Sequence, residues 1–237
     1  MLLLFDVDGT LTPSRGRIDP AFKSWLMTKC KHEFRLITGS DPEKTREQVG
    51  DDLWAYNITY NCAGNHVFKR GSETYKSDWR IPDDLEWWLN AKLIASPWMI
   101  RTGRHIEHRV GLCNFSTLGR NATQDQRRAY YEWDKIWNER KLTAMLISAV
   151  WQGIECTVAG ETGIDIYAKG TGKDQILETL KYDQPIHFFG DRQDPDGNDY
   201  GLAQAILTQK AGSCYHVNNW QETWQILKDL KIGRAHV

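Results

Sequence analysis

The sequence predicts an α/β protein: a parallel sheet with helices on both faces, interrupted by a separately folded α+β unit. Three observations predict it. Three apolar runs of strand length, in "LLLFDVD", "FRLITGS" and "IHFFGDR", end abruptly in polar residues. Helix-start signals follow the first two, so strands and helices alternate. Between the second and third runs lies a long stretch, about residues 76–169, with strands and helices of its own.

Leu2 to Phe5 are apolar on both faces, as a central parallel strand requires, and the run breaks into Asp6 and Asp8. Gly9 lets the backbone turn sharply after them. Asp19-Pro20 opens a helix through "AFKSWLMTKC", because Pro suits the first helical position. The second strand ends at Thr38, Gly39 and Ser40, and Ser40 with Glu43 fits a capping box over "KTREQVG". In the inserted stretch Pro82 to Ile94 reads as a helix, and "RHIEHRV" and "CNFSTLG" as paired strands joined at Gly111. Thr123 with Gln126 caps a long helical segment that reaches about Trp151 and breaks near Asn138. "IECTVA" and "GIDIYA" form another strand pair, Lys173 begins a helix predicted to reach Tyr182, and the last strand ends at Gly190 and Asp191. The expected division is a discontinuous core, residues 1–75 and 170–231, around an insert at 76–169.

Composition narrows the class. The chain has 237 residues, enough for one large domain or two small ones. Its net charge of −1, with no basic tract, disfavours nucleic acid or an anionic membrane surface as a partner. No apolar run approaches the roughly 20 residues of a membrane span, and there is no signal-peptide pattern. The five cysteines lie far apart without a C-x-x-C pair, which suggests neither zinc nor a disulfide framework and points to a reducing, cytoplasmic compartment. The last six residues, "IGRAHV" (232–237), read as a non-native tail, with the native C-terminus missing, and are excluded from fold reasoning.

In a parallel sheet of this kind the ligand sits beyond the carboxyl ends of the strands, so the three polar tips should converge. That would gather Asp6, Asp8, Thr38, Ser40 and Asp191 around one crevice. Two carboxylates about 4 Å apart repel by roughly 4 kcal/mol at an effective dielectric near 20. A cation relieves this, and an all-oxygen site suits Mg²⁺. Asp6, Asp8 and Asp191 are therefore candidate ligands, with Asp199 as a further ligand or a partner of one. Residues two apart on an extended chain point the same way. Asp6 would then attack phosphorus while Asp8 protonates the departing oxygen and deprotonates the incoming one. Thr38, Ser40 and Lys173 would face the phosphate. The calcium-loop reading of "DPDGND" fails because position twelve is Ala205 rather than Glu. A metal pair of His105 and His108 fails because an offset of three puts them on opposite faces of a strand.

"FDVDGTLT", "TGS", Lys173 and "GDRQDPDGND" resemble the four motifs of the haloacid dehalogenase (HAD) superfamily, which implies a HAD-like, Rossmannoid core with an α+β cap. "HIEHRVGLCNFSTLGRNATQDQR" is similar to the substrate-binding cap of the eukaryotic-type α-phosphomannomutases. The resemblance assigns substrate contacts to Arg109, Arg120 and Arg127, to Asp165 in "TGIDIYAKGTGK", and to Arg15 in "LTPSRGRI". A guanidinium fork suits a phosphate dianion, although Glu107 and Asp125 lie close enough in sequence to make these arginines plain surface ion pairs.

The resemblance implies interconversion of mannose 6-phosphate and mannose 1-phosphate, feeding GDP-mannose synthesis. It passes through an aspartyl phosphate on Asp6 and a hexose 1,6-bisphosphate that also primes the enzyme. Cap closure would keep water from the aspartyl phosphate. The expected partners are hexose phosphates and, through the cap, a second copy of the chain. Two departures stand out: Gly163 replaces a substrate-contacting serine of the family, and "NCAGNHV" lacks its Glu-Asn-Gly pattern. A sugar-phosphate phosphatase on the same scaffold is the alternative.

Overall fold

The structure is a computed structural model that describes residues 1–180 and 184–230. The tail at 232–237 and the predicted helix end at Tyr182 lie outside the described residues. In chain order the elements are β1 (Leu2–Asp6), α1 (Pro20–Thr28), β2 (Glu33–Ile37), α2 (Pro42–Val49), α3 (Asp51–Tyr56), β3 (Ile58–Asn61), β4 (His66–Lys69) and β5 (Ser72–Lys76). Next come α4 (Asp83–Ala95), β6 (Ile106–Arg109), β7 (Leu112–Phe115), α5 (Gln124–Trp137), α6 (Glu139–Val150), β8 (Ile154–Ala159) and β9 (Gly163–Ala168). The chain ends with α7 (Ile176–Thr179), β10 (Ile186–Gly190), α8 (Tyr200–Thr208), β11 (Gly212–His216) and α9 (Trp220–Asp229). They form two compact units: Met1–Lys76, Lys173–Pro195 and the chain from Asp199 on; and Ser77–Gly172 with Asp196–Asn198.

The first unit is built on a seven-stranded sheet in the order β11-β10-β1-β2-β3-β4-β5. β11, β10, β1, β2 and β3 are parallel, and β4 and β5 add an antiparallel edge. Strand alternation explains the uninterrupted apolar runs. Leu3 and Phe5 pack on one face with Phe22, Leu26 and Leu227, while Leu2 and Leu4 pack on the other with Ile176, Leu202 and Ile206. Each such side chain, fully buried, contributes about 1.5–3 kcal/mol, so both faces hold β1 in the sheet centre. From β1 the chain winds outward through β2 and β3, and β10 then returns on the other side of β1. The boundary between β1 and β10 is the switch point where such sheets place their ligands.

Two local expectations are corrected. The cap of α2 is Asp41, whose carboxylate accepts the Lys44 N–H at 2.8 Å, and Ser40 is left for another task. Lys173 opens a short 3₁₀ turn, Lys173–Gln175, followed by the single-turn α7, rather than a regular helix; α7 has no side-chain cap.

The second unit is a four-stranded antiparallel sheet, β6-β7-β9-β8. Its core joins Phe115, Ile164 and Ile166 from the sheet to Leu85 and Leu89 of α4 and Ile147 of α6. Thr123 and Gln126 make a reciprocal capping box at the start of α5. The helical segment breaks at Asn138, which takes the left-handed conformation (φ 53°) that Asn tolerates better than most residues. The buried Asp134–Arg140 pair at 2.7 Å ties the two helices across the break. Among the described residues no helix is long and apolar enough to cross a membrane.

Candidate active site

In the first unit, Asp6 is the last residue of β1 and is 4% exposed. Asp191 follows β10, and Asp199 precedes α8. Oxygens of these three carboxylates lie within 4.8 Å of one another. The buried Lys173 ammonium donates to Asp6 Oδ1 at 2.6 Å and to Asp199 Oδ1 at 2.7 Å. Burial would lower the Lys173 pKa, but Asp199 and Asp6 outweigh it and hold the ammonium charged. The carboxylates remain in excess. Burial, with Asp199 beside it, pushes Asp191 up to about 7, and burial raises Asp6 well above the carboxylate range despite Lys173. The group is packed tightly: with φ at +85°, Gly9 passes so near that a Cβ would stand 2.5 Å from Asp191 Oδ2. Three carboxylates, two buried and one half-buried, with a single ammonium between them fit a hard divalent cation.

Asp8 is placed differently from the sequence expectation. β1 ends at Asp6, and the chain then turns, with the Leu11 and Thr12 N–H groups donating to the Val7 carbonyl. Strand alternation therefore stops, and the Asp8 carboxylate is not part of the three-carboxylate group. Its Oδ2 accepts from Lys44 Nζ at 2.8 Å and Ser40 Oγ at 3.2 Å; its Oδ1 accepts from Gln48 Nε2 at 2.9 Å and the Arg15 N–H at 2.6 Å. Burial alone would raise the Asp8 pKa, but the Lys44 charge and these hydrogen bonds outweigh it and lower it.

Arg15 thus touches Asp8 through its backbone, at a positive φ of 58°, and the residue is exposed. Thr38 is buried, and its Oγ1 accepts the Ser40 N–H at 3.1 Å, which orients the Ser40 turn. Lys44 and Gln48 were not anticipated. Ser40, Lys44 and Gln48 stand four apart at the start of and along α2, the spacing of one helix face, and that signal was available in the sequence.

In the second unit, Arg109 at the end of β6 donates to Glu107 at 2.6 Å, and Arg120 donates to the same carboxylate oxygen. Burial would raise the Glu107 pKa, but the two guanidiniums outweigh it and lower it. Burial, with Arg109 beside it, pulls the Arg120 pKa down. Arg127 does not share the Glu107 carboxylate: it is buried in α5 and donates to Thr162 Oγ1 at 3.3 Å and to the Arg120 carbonyl at 3.5 Å. Asp165, buried on β9, lies in register with Asn114 on β7 and accepts from Asn114 Nδ2 at 2.6 Å. A Cβ on Gly163 would stand 2.8 Å from Asn114 Nδ2, so Asn114 occupies space that a side chain at 163 would need. His105 and His108 have separate partners, the Ser116 carbonyl and Glu86.

Residues 23–232 match the family described as eukaryotic phosphomannomutase. The chain belongs to that family. A probable phosphomannomutase of Caenorhabditis elegans is 32% identical over 219 residues, covering 85% of each chain. Phosphomannomutase 1 of Homo sapiens is 31% identical over 218 residues, covering 85% of this chain and 82% of that one. In fold the chain is similar to a haloacid dehalogenase-like hydrolase from Bacteroides thetaiotaomicron, with a TM-score of 0.59 and 11% identity over 97% of this chain and 98% of the other. The protein is therefore a phosphomannomutase-family enzyme on a HAD-like core. The family match takes in the cap arginines, Lys173, Asp191 and Asp199, while Asp6 and Asp8 precede it.

Proposed function

We propose that the enzyme interconverts mannose 6-phosphate and mannose 1-phosphate by moving a phosphoryl group through Asp6. The observation that carries this reading is the trio of Asp6, Asp191 and Asp199, two of them buried, with Lys173 as its one ammonium neighbour among the described residues. Lys173 engages Oδ1 of Asp6, which leaves Oδ2 as the nucleophile. Asp6, Asp191 and Asp199 would hold Mg²⁺, which when bound screens the charge of the phosphate under attack and of the transferring group. Ser40 and Thr38, at the β2 tip, are the further phosphate contacts. Asp8, oriented by Lys44, Gln48 and Ser40, gives the proton to the departing sugar oxygen and takes it from the incoming one.

Arg109, Arg120 and Arg127 hold the phosphate that is not being transferred, and Asp165 a sugar hydroxyl. Arg15, whose backbone N–H meets Asp8, is an exposed cation free to contact substrate. A hexose 1,6-bisphosphate, formed when phosphorylated Asp6 donates to the monophosphate, turns end for end and also primes the resting enzyme. The product feeds GDP-mannose synthesis in the cytoplasm. Its partners are hexose phosphates, with neither nucleic acid nor a membrane. Pairing with a second copy through the second unit is supported by exposed apolar side chains on α5 and α6, among them Ile136, Trp137, Met145 and Val150.

Phosphorus NMR on mannose 1-phosphate with Mg²⁺ and bisphosphate primer tests the reading. Growth of the 6-phosphate resonance is the expected result. Orthophosphate as the main product would replace the mutase with a phosphatase.

A further inference from the structure

Within the second unit a cavity of about 370 Å³ is lined by Arg104, Glu107, Arg120 and Asn121. Three facts about these residues bear on what it takes. Arg120 shares the Glu107 carboxylate with Arg109, so two of the guanidiniums near the cavity already have an internal counter-ion. Arg104 forms no salt bridge among the described residues, and it is exposed. Its carbonyl accepts the Arg120 N–H at 3.0 Å, which sets the backbones of the two arginines side by side.

We infer that Arg104 is a further substrate-binding residue, which reaches with Arg120 for the phosphomonoester dianion of a hexose phosphate. The inference rests on the reading of the cap arginines given above. Arg104 lines the cavity together with Arg120 and Glu107, so a guanidinium with no salt bridge among the described residues stands at the wall beside one that shares its counter-ion with Arg109. Arg104 needs no partner displaced before it binds, whereas Arg120 must share or leave Glu107. A guanidinium also offers two parallel donors to two phosphate oxygens, which a lysine ammonium cannot reproduce.

The test compares Arg104→Ala, Arg104→Lys and Arg120→Ala in the full chain, with steady-state turnover of mannose 1-phosphate at saturating Mg²⁺ and primer. Arg104→Ala is expected to raise KM about tenfold with kcat within about twofold, and Arg104→Lys to recover part of the loss. The thermal midpoint should stay at the wild-type value, since the residue is exposed; a midpoint drop with KM unchanged would mean a structural role and would overturn the inference. If Arg120→Ala raises KM while Arg104→Ala leaves it at the wild-type value, the inference fails and the wider reading stands. If neither substitution moves KM, the assignment of the phosphate to this unit fails, and the inference with it.

Discussion

In the first unit three carboxylates, Asp6, Asp191 and Asp199, share one ammonium, that of Lys173; in the second, two guanidiniums, Arg109 and Arg120, share one carboxylate, that of Glu107. The imbalances are opposite in sign and differ in depth. Lys173 and Asp199 are fully or almost fully buried, so water screens their interaction little, and burial with Asp199 beside it pushes the half-buried Asp191 up to about 7. Glu107 and Arg120 keep part of their surface in solvent, so their interaction is partly screened. The deep cluster is therefore suited to a tightly held cation and to a reaction that moves charge. The shallow one is suited to an anion that arrives and leaves.

Four experiments break or sharpen this contrast. The largest effect belongs to Asp6→Asn, which removes the nucleophile: turnover should fall by at least about 10⁴-fold with the fold intact, and turnover near the wild-type rate would remove Asp6 from the chemistry. Next comes Lys173→Met. It leaves the buried Asp6 and Asp199 without their ammonium, and chemical denaturation in the presence of a chelator should show a loss of about 3–5 kcal/mol. A loss no larger than a surface substitution gives would mean that the trio is not electrostatically loaded.

Divalent cation comes third. Mg²⁺ at about a hundred times its Kd should stabilise the wild type by about 2.7 kcal/mol, read as a rise in thermal midpoint that a chelator reverses. The rise should vanish in Asp191→Asn, and an equal rise there would place the ion elsewhere. The smallest effect is in the second unit. Glu107 has a lowered folded pKa, so its contribution is present above its ordinary value near 4.5 and is lost as pH falls below that. Glu107→Gln should cost about 1 kcal/mol at pH 7, and that difference from the wild type should shrink as the pH drops toward 3. A difference that is constant with pH would mean the ion pair contributes nothing.

Much of the molecule was legible from the chain because the signals are local. The apolar runs at Leu2–Phe5 and Ile186–Phe189 mark strands buried on both faces, and the polar residues that end them mark the switch point of the sheet. The Thr123–Gln126 capping box and the break at Asn138 follow from side-chain chemistry over a few residues. Ser40 as a cap was misread because Asp41, one residue on, competes for the same N–H groups and wins, which frees the Ser40 hydroxyl for Asp8. Lys44 and Gln48 passed unnoticed, since a lysine and a glutamine on a polar helix face are ordinary until something lies across from them.

What the sequence alone determined is the class of fold, the strand tips that carry acidic residues, and the identity of the groups available for phosphoryl chemistry; periodicity and spacing specify these, and both act over a turn or a strand. Tertiary structure decided which acids meet. Asp6 joins Asp191 and Asp199, residues more than 180 positions away, and Asp8 turns to Lys44 and Gln48 instead, because the chain leaves extended geometry at Asp6 and the packing of α2 then supplies the donors. Charge interactions depend on distance and burial, and neither is written in the order of residues.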